Sequence, residues 1–457
     1  MAKVSDKKDD TEARRQKLMA LPTERLAEAL LELAEQTEEG EDLVHRLVAT
    51  PKESEDKFKA KLAAVKRFRG FGDWRVVPDF AASLRRLLDD LRAGVQDPKT
   101  GLGHVAAFYE TDEWVFNHYD DSSGTIGDVF RYDARDLFVL YASRCPEKEW
   151  IADLVLRLYQ RDGYGVRDRI LEHSGQYLPE PVLRGMVDRL WAMSKKEPDK
   201  YSSRHATLGI EALAKELKDP KLFERARRAA WPELSTAACV DIAEAYFEAD
   251  DARTALSWLE RISPSETFQS QERDTLLAKV YEKLGDREKL IEVAWRIFRS
   301  GRSKDALASL LAIIGEDKRD EVIEGEAAGI LKSARLSYSD ARFLLQVGRV
   351  DDAEAYLLAR SDRLKGDLYD SLLPLAESLE KQDRLLAASV LYRALIDSIL
   401  RRAQSKIYHH AVRYLRILER LAPTIADWRS FTPHTDYMAE LKTAHKRKYR
   451  LWETCNE

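Results

Sequence analysis

The phrase Tyr281-Glu282-Lys283-Leu284-Gly285-Asp286 has relatives along the chain, and their spacing restricts the folds open to it. Tyr246 and Asp251, in the context Tyr246-Phe247-Glu248-Ala249-Asp250-Asp251-Ala252, precede Tyr281 and Asp286 by 35 residues. Gly348-Arg349-Val350-Asp351-Asp352-Ala353 reads as another copy, and Gln382-Asp383-Arg384 follows 34 residues after Gly348. Such a period, joining an aromatic-rich helix, a Gly/Asp corner and an Ala/Leu-rich second helix, marks stacked helix–turn–helix units. The predicted fold class is all-α: an αα-superhelix, a solenoid of helical hairpins. The 20 Gly and 14 Pro among 457 residues lie well below an average share of about 12%. A loop-rich β protein needs more turn residues than that.

Helix start and stop signals support this reading from end to end. Pro22 suits a first turn, Leu26, Leu30 and Leu33 then share a face, and Gly40 is expected to stop that helix. A second helix is expected over residues 54–69, ending at Gly70-Phe71-Gly72, and a third carries Phe80, Leu84, Leu87, Leu88 and Leu91. Asp97-Pro98-Lys99-Thr100-Gly101 reads as a turn. Further helices are expected over 102–118, 127–144, 146–160, 179–195 and 203–217. Ser263-Pro264-Ser265-Glu266 has the form of a capping box, and Asp286 is placed to cap the helix carrying Leu290, Val293, Ala294 and Ile297. Leu385, Ala388, Leu391, Leu395 and Ile399 give another stripe. The chain therefore divides into a frayed arm (1–17), irregular helical hairpins (18–219), regular repeats (220–402) and a helical cap (403–457).

Charge is uneven. The net charge of -5 hides 12 Lys/Arg against 6 Asp/Glu from Arg401 onward, which leaves -11 on the preceding 400 residues. No run of 18 apolar residues suits a membrane span and the N-terminus has no apolar signal segment, so a cytoplasmic protein is expected. Three cysteines far apart (Cys145, Cys239, Cys455) do not make a disulfide framework.

At the C-terminal end, Tyr408-x-x-Ala411-x-x-Tyr414-Leu415-x-x-Leu418, Leu421-Ala422-Pro423, Asp427-Trp428, His434-x-x-Tyr437-x-x-x-Leu441, His445-x-Arg447-Lys448 and Trp452 carry a resemblance. Together they resemble a family of uncharacterised all-helical bacterial proteins, a domain of unknown function. The same segment resembles the helical part of proteins with a SWIM zinc finger, whose own Cys/His pattern is absent. Gly72-Asp73-Trp74, Asp120-Asp121-Ser122-Ser123-Gly124 and Asp162-Gly163-Tyr164-Gly165 fit the spacing of the first family. The resemblance implies a tetratricopeptide-like superhelix and no activity to carry over.

No catalytic, cofactor or metal constellation emerges, so no enzyme, cofactor or metal is expected. No cysteine has a second one nearby, and His409-His410 are adjacent, hence about 100° apart on a helix. Asp120 to Gly124 reads as a capping loop rather than a ligand set with His118. No P-loop, nucleophile elbow or dinucleotide-binding glycine motif is present. Cys145, before Pro146, reads as a buried structural thiol. Trp258, Trp295 and Leu395 are expected in the core, while Trp74 and Trp428 are expected to pin loops.

One surface stands out. Lys442, His445, Lys446 and Tyr449 follow i, i+3, i+4, i+7 spacing on an expected last helix, and Arg447, Lys448 and Arg450 widen the patch. Such a run meets a phosphate backbone or an acidic partner; its plainer reading is a solvated helix end whose cations suit the helix dipole. The expected function is a non-enzymatic interaction scaffold or assembly subunit binding a protein partner. The alternative is a nucleic-acid-associated accessory factor using the basic end.

Overall fold

The computed structural model describes residues 14–67, 70–196 and 200–456. It is all-helical: 76% of it is helix, and the one piece of extended pairing among the described residues is an isolated bridge between Gly72 and Tyr119. Of the expected arm (1–17), residues 14–17 belong to a helical stretch over 14–19, and residues 1–13 lie outside the described part.

The recurring corners have a common backbone cause. Asp250 (φ 70), Gly285 (φ 72), Gly348 (φ 81) and Asp383 (φ 58) all adopt the left-handed conformation, as does Lys218 (φ 49). The N–H after each donates back across the helix end: Asp219 to Ala214 O (2.9 Å), Asp251 to Tyr246 O (2.9 Å) and Asp286 to Tyr281 O (3.0 Å). Arg349 to Leu344 O and Arg384 to Leu379 O (2.8 Å each) repeat the pattern. This six-to-one closure satisfies carbonyls that a helix end leaves without partners. In three corners the same residue then starts the next helix. The carboxylates of Asp219, Asp251 and Asp286 accept from the N–H groups of Leu222 (3.0 Å), Thr254 (3.0 Å) and Lys289 (3.1 Å). One aspartate thus closes one helix and caps the next, which keeps the turn to two residues and fixes the hairpin. The corner near Gly301 is built differently: its φ is -153, and Ser303 caps the next helix through Ala306 N–H (3.1 Å).

Several boundaries differ from the sequence reading. Gly40 does not stop a helix. It lies inside the Glu38–Val48 helix, where a β-carbon would sit 2.2 Å from Leu33 O, so it lets that helix approach the Thr23–Gln36 helix closely. The second expected helix starts earlier and stops at Val65, with Thr50 and Glu53 forming the capping box. Asp97-Pro98 is not a turn but a helix start, Asp97 accepting from Thr100 N–H (2.8 Å) ahead of Pro98–Tyr109. Ser263 to Glu266 is not a helix start: Ser263 bonds Ser265, Glu266 bonds Phe268 N–H, and the left-handed Gln269 delays the next helix to Ser270. Around residues 120–144 the chain runs as Thr125–Asp128, a π-turn over Val129–Ala134, and Arg135–Arg144. Asp121 caps it as expected, accepting from Ile126 and Gly127 N–H (2.8 Å each).

Two compact units follow, Met1–Trp258 and Leu259–Glu457. In the first, the core gathers Phe58, Leu84, Leu91, Phe108, Phe130 and Phe138, with buried tyrosines satisfied by backbone: Tyr109 donates to Phe130 O (2.8 Å), and Tyr141 to Val95 O (2.8 Å). Arg167 is buried against Asp112. In the second, the Tyr369–Lys381, Leu385–Arg402 and Tyr408–Leu421 helices pack in succession around Leu375, Leu391, Leu395 and Leu415. Trp258 and Leu395 are 2% and 1% exposed, as expected of core residues. Trp295 is only half-buried, with the Arg299 guanidinium 4.6 Å above its ring. Trp74 does not pin its loop, being 63% exposed, whereas Trp428 lies half-buried under Arg393 at 4.6 Å. No helix among the described residues is long and apolar enough to cross a membrane.

Candidate functional site

The basic C-terminal run is not one helical face. The His434–Ala444 helix ends before it, residues 445–447 turn, and a second helix spans Tyr449–Asn456. The reversal has a packing cause: Leu451 is fully buried in the second unit's core, and the Trp452 indole N–H donates to His445 O (3.0 Å). Lys442 therefore sits exposed on one helix, with Tyr449 (72% exposed) and Arg450 on the next. Lys446 and Arg447 are exposed on the turn between. Lys448 is half-buried, its Nζ 5.8 Å above the Tyr408 ring. Burial and the nearby Lys448 charge hold His445 below the usual imidazole range, so it adds little positive charge at neutral pH. What remains is an exposed basic turn.

A better-formed site lies in the first unit. On the Glu180–Lys196 helix, Arg184, Val187, Asp188, Trp191 and Lys195 recur at helical spacing and line a groove of about 890 Å³. The facing wall is the Pro220–Ala230 helix, which supplies Lys221, Leu222 and Arg225. Asp219, the corner cap described above, closes one side. Arg184 is committed to Glu180 (2.8 Å) and Asp219 (3.4 Å). Arg225 is stacked 4.7 Å over the Trp191 ring. Among the described residues, no carboxylate lies within ion-pairing distance of Lys195, Lys221 or Arg225. The Trp191 indole N–H is buried and has no acceptor among the described residues. Four cations (Arg184, Lys195, Lys221, Arg225) face two carboxylates (Asp188, Asp219) around an aromatic floor. The groove is built to accept negative charge and to donate hydrogen bonds.

Sequence reasoning passed over this groove. The available signal was a stripe mixing one Trp with Arg and Lys, where a core-facing stripe is apolar. Among the described residues no group of three or more His, Cys, Asp or Glu is arranged to hold an ion. Cys145 is buried (1% exposed), and burial together with its hydrogen bond to Glu147 Oε2 (3.0 Å) raises its thiol above the ordinary range. The loop residues that carried the family resemblance hold the backbone. Asp162 accepts from Tyr164 (3.0 Å), Gly165 (2.9 Å) and Arg167 (2.8 Å) N–H groups, which delivers Arg167 to Asp112.

Comparison with known proteins places the chain. It belongs to a family of unknown function (DUF6880), whose model matches residues 10–232 and again residues 225–454. No curated protein matches it.

Proposed function

We propose that this chain is a non-enzymatic interaction scaffold of the cytoplasm, its tetratricopeptide-like hairpins stacked into a superhelical surface within each unit. The partner is a protein, and the groove between the Glu180–Lys196 and Pro220–Ala230 helices takes one of its acidic segments. The observation that carries this reading is the set of unspent donors: Lys195, Lys221 and Arg225, without ion-pair partners among the described residues, beside a buried Trp191 N–H that has no acceptor among them. Solenoids present such inter-helix grooves because each hairpin packs mainly on its neighbours. An acidic peptide supplies the missing carboxylates and lies along the aromatic floor.

The test is site-specific photo-cross-linking from Ala192, an exposed groove residue, with identification of the cross-linked peptide. An Asp/Glu-rich peptide is expected, lost on Lys221→Glu/Arg225→Glu and retained on Lys446→Glu/Arg447→Glu. Cross-linking that survives reversal of the groove charges refutes the assignment. The exposed turn at Lys446 and Arg447 supports the competing reading, a nucleic-acid-associated factor. Retention on DNA or RNA that falls steeply with salt and disappears on reversing those two charges favours it.

A further inference from the structure

A second cleft of about 480 Å³ lies in the first unit, with the opposite electrostatic character. The Lys200–Glu216 helix lines it with Leu208, Glu211, Lys215 and Glu216, again one helical stripe. Asp168, Glu172 and His173 face it from the segment after the Lys148–Gln160 helix, and Phe223 and Arg227 from Pro220–Ala230. Four carboxylates (Asp168, Glu172, Glu211, Glu216) meet three permanent cations (Arg169, Lys215, Arg227).

Most of these charges are already committed. Arg169 pairs with Glu172 (2.8 Å), and Arg227 pairs with Glu211 Oε2 (2.8 Å) and with Asp241 (3.1 Å). Glu216 accepts the Gly175 N–H (2.8 Å). Two acceptors are left over. Glu211 is 4% exposed, yet its Oε1 has no partner; Asp168 Oδ1 also has none, with His205 Nε2 3.8 Å away. Leaving a buried carboxylate oxygen without a donor is costly, and Glu211 shows the effect. Burial pushes it up to about 7 although Arg227 is in contact, and burial raises Glu216 as well. Among the buried atoms of the described residues, the unpartnered donors in the cleft are Arg227 Nε and one imidazole nitrogen, His173 Nδ1, while the Lys215 ammonium lies 5.4 Å over the Phe223 ring. Arg227 already serves two carboxylates, so an anion entering here meets uncompensated negative charge, while a cation relieves it. The exposed side chain of Leu208 stands beside these acceptors, whereas Phe223 is buried beneath Lys215 and Arg227.

We propose that this cleft binds an organic cation, a protonated alkylamine or a guanidinium group, with Glu211 and Asp168 as its acceptors and Leu208 against its methylenes. This site is separate from the groove assigned to an acidic segment and shares none of its lining residues. The cation comes either as a free polyamine-like molecule or as a Lys or Arg side chain of a peptide.

Isothermal titration of the full chain with spermidine, with agmatine and with a short Lys/Arg peptide tests this, using inorganic phosphate as the opposite charge. Saturable binding of a cation probe is expected, weakened about tenfold or more by Glu211→Gln and by Asp168→Asn, as befits loss of a charge-assisted hydrogen bond. Leu208→Lys, at a position 41% exposed and so tolerant of change, places an ammonium in the cleft and is expected to block binding while leaving the far-UV spectrum unchanged. Lys221→Glu in the other groove is expected to leave it intact. Binding of free spermidine or agmatine assigns a small-molecule source; binding confined to the peptide assigns a side chain. The proposal is overturned if no cation binds, if binding survives all three cleft substitutions, or if phosphate binds in their place.

Discussion

Replacing Asp112 by Asn is the sharpest test of how the first unit is held together. Asp112 and Arg167 have side chains only 2% and 5% exposed. They form a two-pronged pair, Nε to Oδ2 at 2.7 Å and Nη2 to Oδ1 at 2.6 Å. Arg167 also donates to Tyr109 O (3.2 Å) and Leu158 O (3.4 Å), so it links the Pro98–Tyr109 and Lys148–Gln160 helices. Asparagine keeps one acceptor but turns an N–H₂ toward the guanidinium and leaves its charge buried without a counterion. Breaking a buried pair from one side costs about 3–5 kcal/mol. With an m value of about 3 kcal/mol/M, the urea midpoint falls by roughly 1 M or more. Far-UV circular dichroism records the transition. Hydrogen exchange of residues 109–118 assigns it to the first unit, since two units need not unfold as one. Glu180→Gln is the control: its pair with Arg184 is exposed on both sides (65% and 51%) and screened by solvent, so the midpoint is expected to stay almost unchanged. Asp112→Leu/Arg167→Met removes both charges and is expected to be less damaging than the sum of the single changes. If Asp112→Asn moves the midpoint no further than Glu180→Gln, or the double change is fully additive, the buried-charge argument is wrong.

Other outcomes follow from the same structure. Trp258→Ala is expected to cost about 3–5 kcal/mol in a denaturant titration, and Trp295→Ala clearly less, since part of its ring already faces water. Gly101→Ala is expected to destabilise, because its β-carbon would lie 2.6 Å from the Tyr141 ring; Gly185→Ala, with nothing within 4 Å, should stabilise its helix by about 0.5–1 kcal/mol, both read as shifts in urea midpoint. Glu211 binds its proton more tightly folded (about 7) than unfolded (4.5), so its contribution to stability is present below the lower value and is lost as pH rises through the window. Across pH 4.5 to 7 the stability of the parent relative to Glu211→Gln is therefore expected to fall, and a pH-independent difference refutes the assignment. Reversing Lys446, Arg447 and Lys448 to Glu is expected to leave folding unchanged and to alter only salt-sensitive contacts, measured as partner or nucleic-acid retention at low and physiological salt.

The corners were legible because their cause is local. A left-handed residue at a helix end favours Gly or Asp-like side chains, and an aspartate just after it doubles as the next cap, so Gly285-Asp286 and Asp250-Asp251 declare their geometry within two residues. The errors share one origin: a local signal that is correct as chemistry but overruled by packing. Gly40 offers helix-stopping freedom, yet the neighbouring Leu33 backbone uses its missing side chain instead. Ser263 and Glu266 do make short-range bonds, but to a loop, because Gln269 turns left-handed before the helix can begin. The C-terminal cations do follow helical spacing, but burying Leu451 bends the chain between Lys442 and Tyr449. The two clefts were illegible for the same reason. Each needs stripes from helices about 40 residues apart, Arg184 with Arg225 in one case and Asp168 with Glu211 in the other. The second cleft's stripe read alone looks like an ordinary amphipathic face, and the mixture of Trp191 with Arg184 and Lys195 in the first does not say which helix faces it. What separates them afterwards is charge bookkeeping across helices: the first cleft is left with unspent donors and the second with unspent acceptors. The Lys218-Asp219 corner fixes the backbone between the Lys200–Glu216 and Pro220–Ala230 helices while leaving these stripe positions free to vary, so neighbouring helix faces carry opposite surfaces.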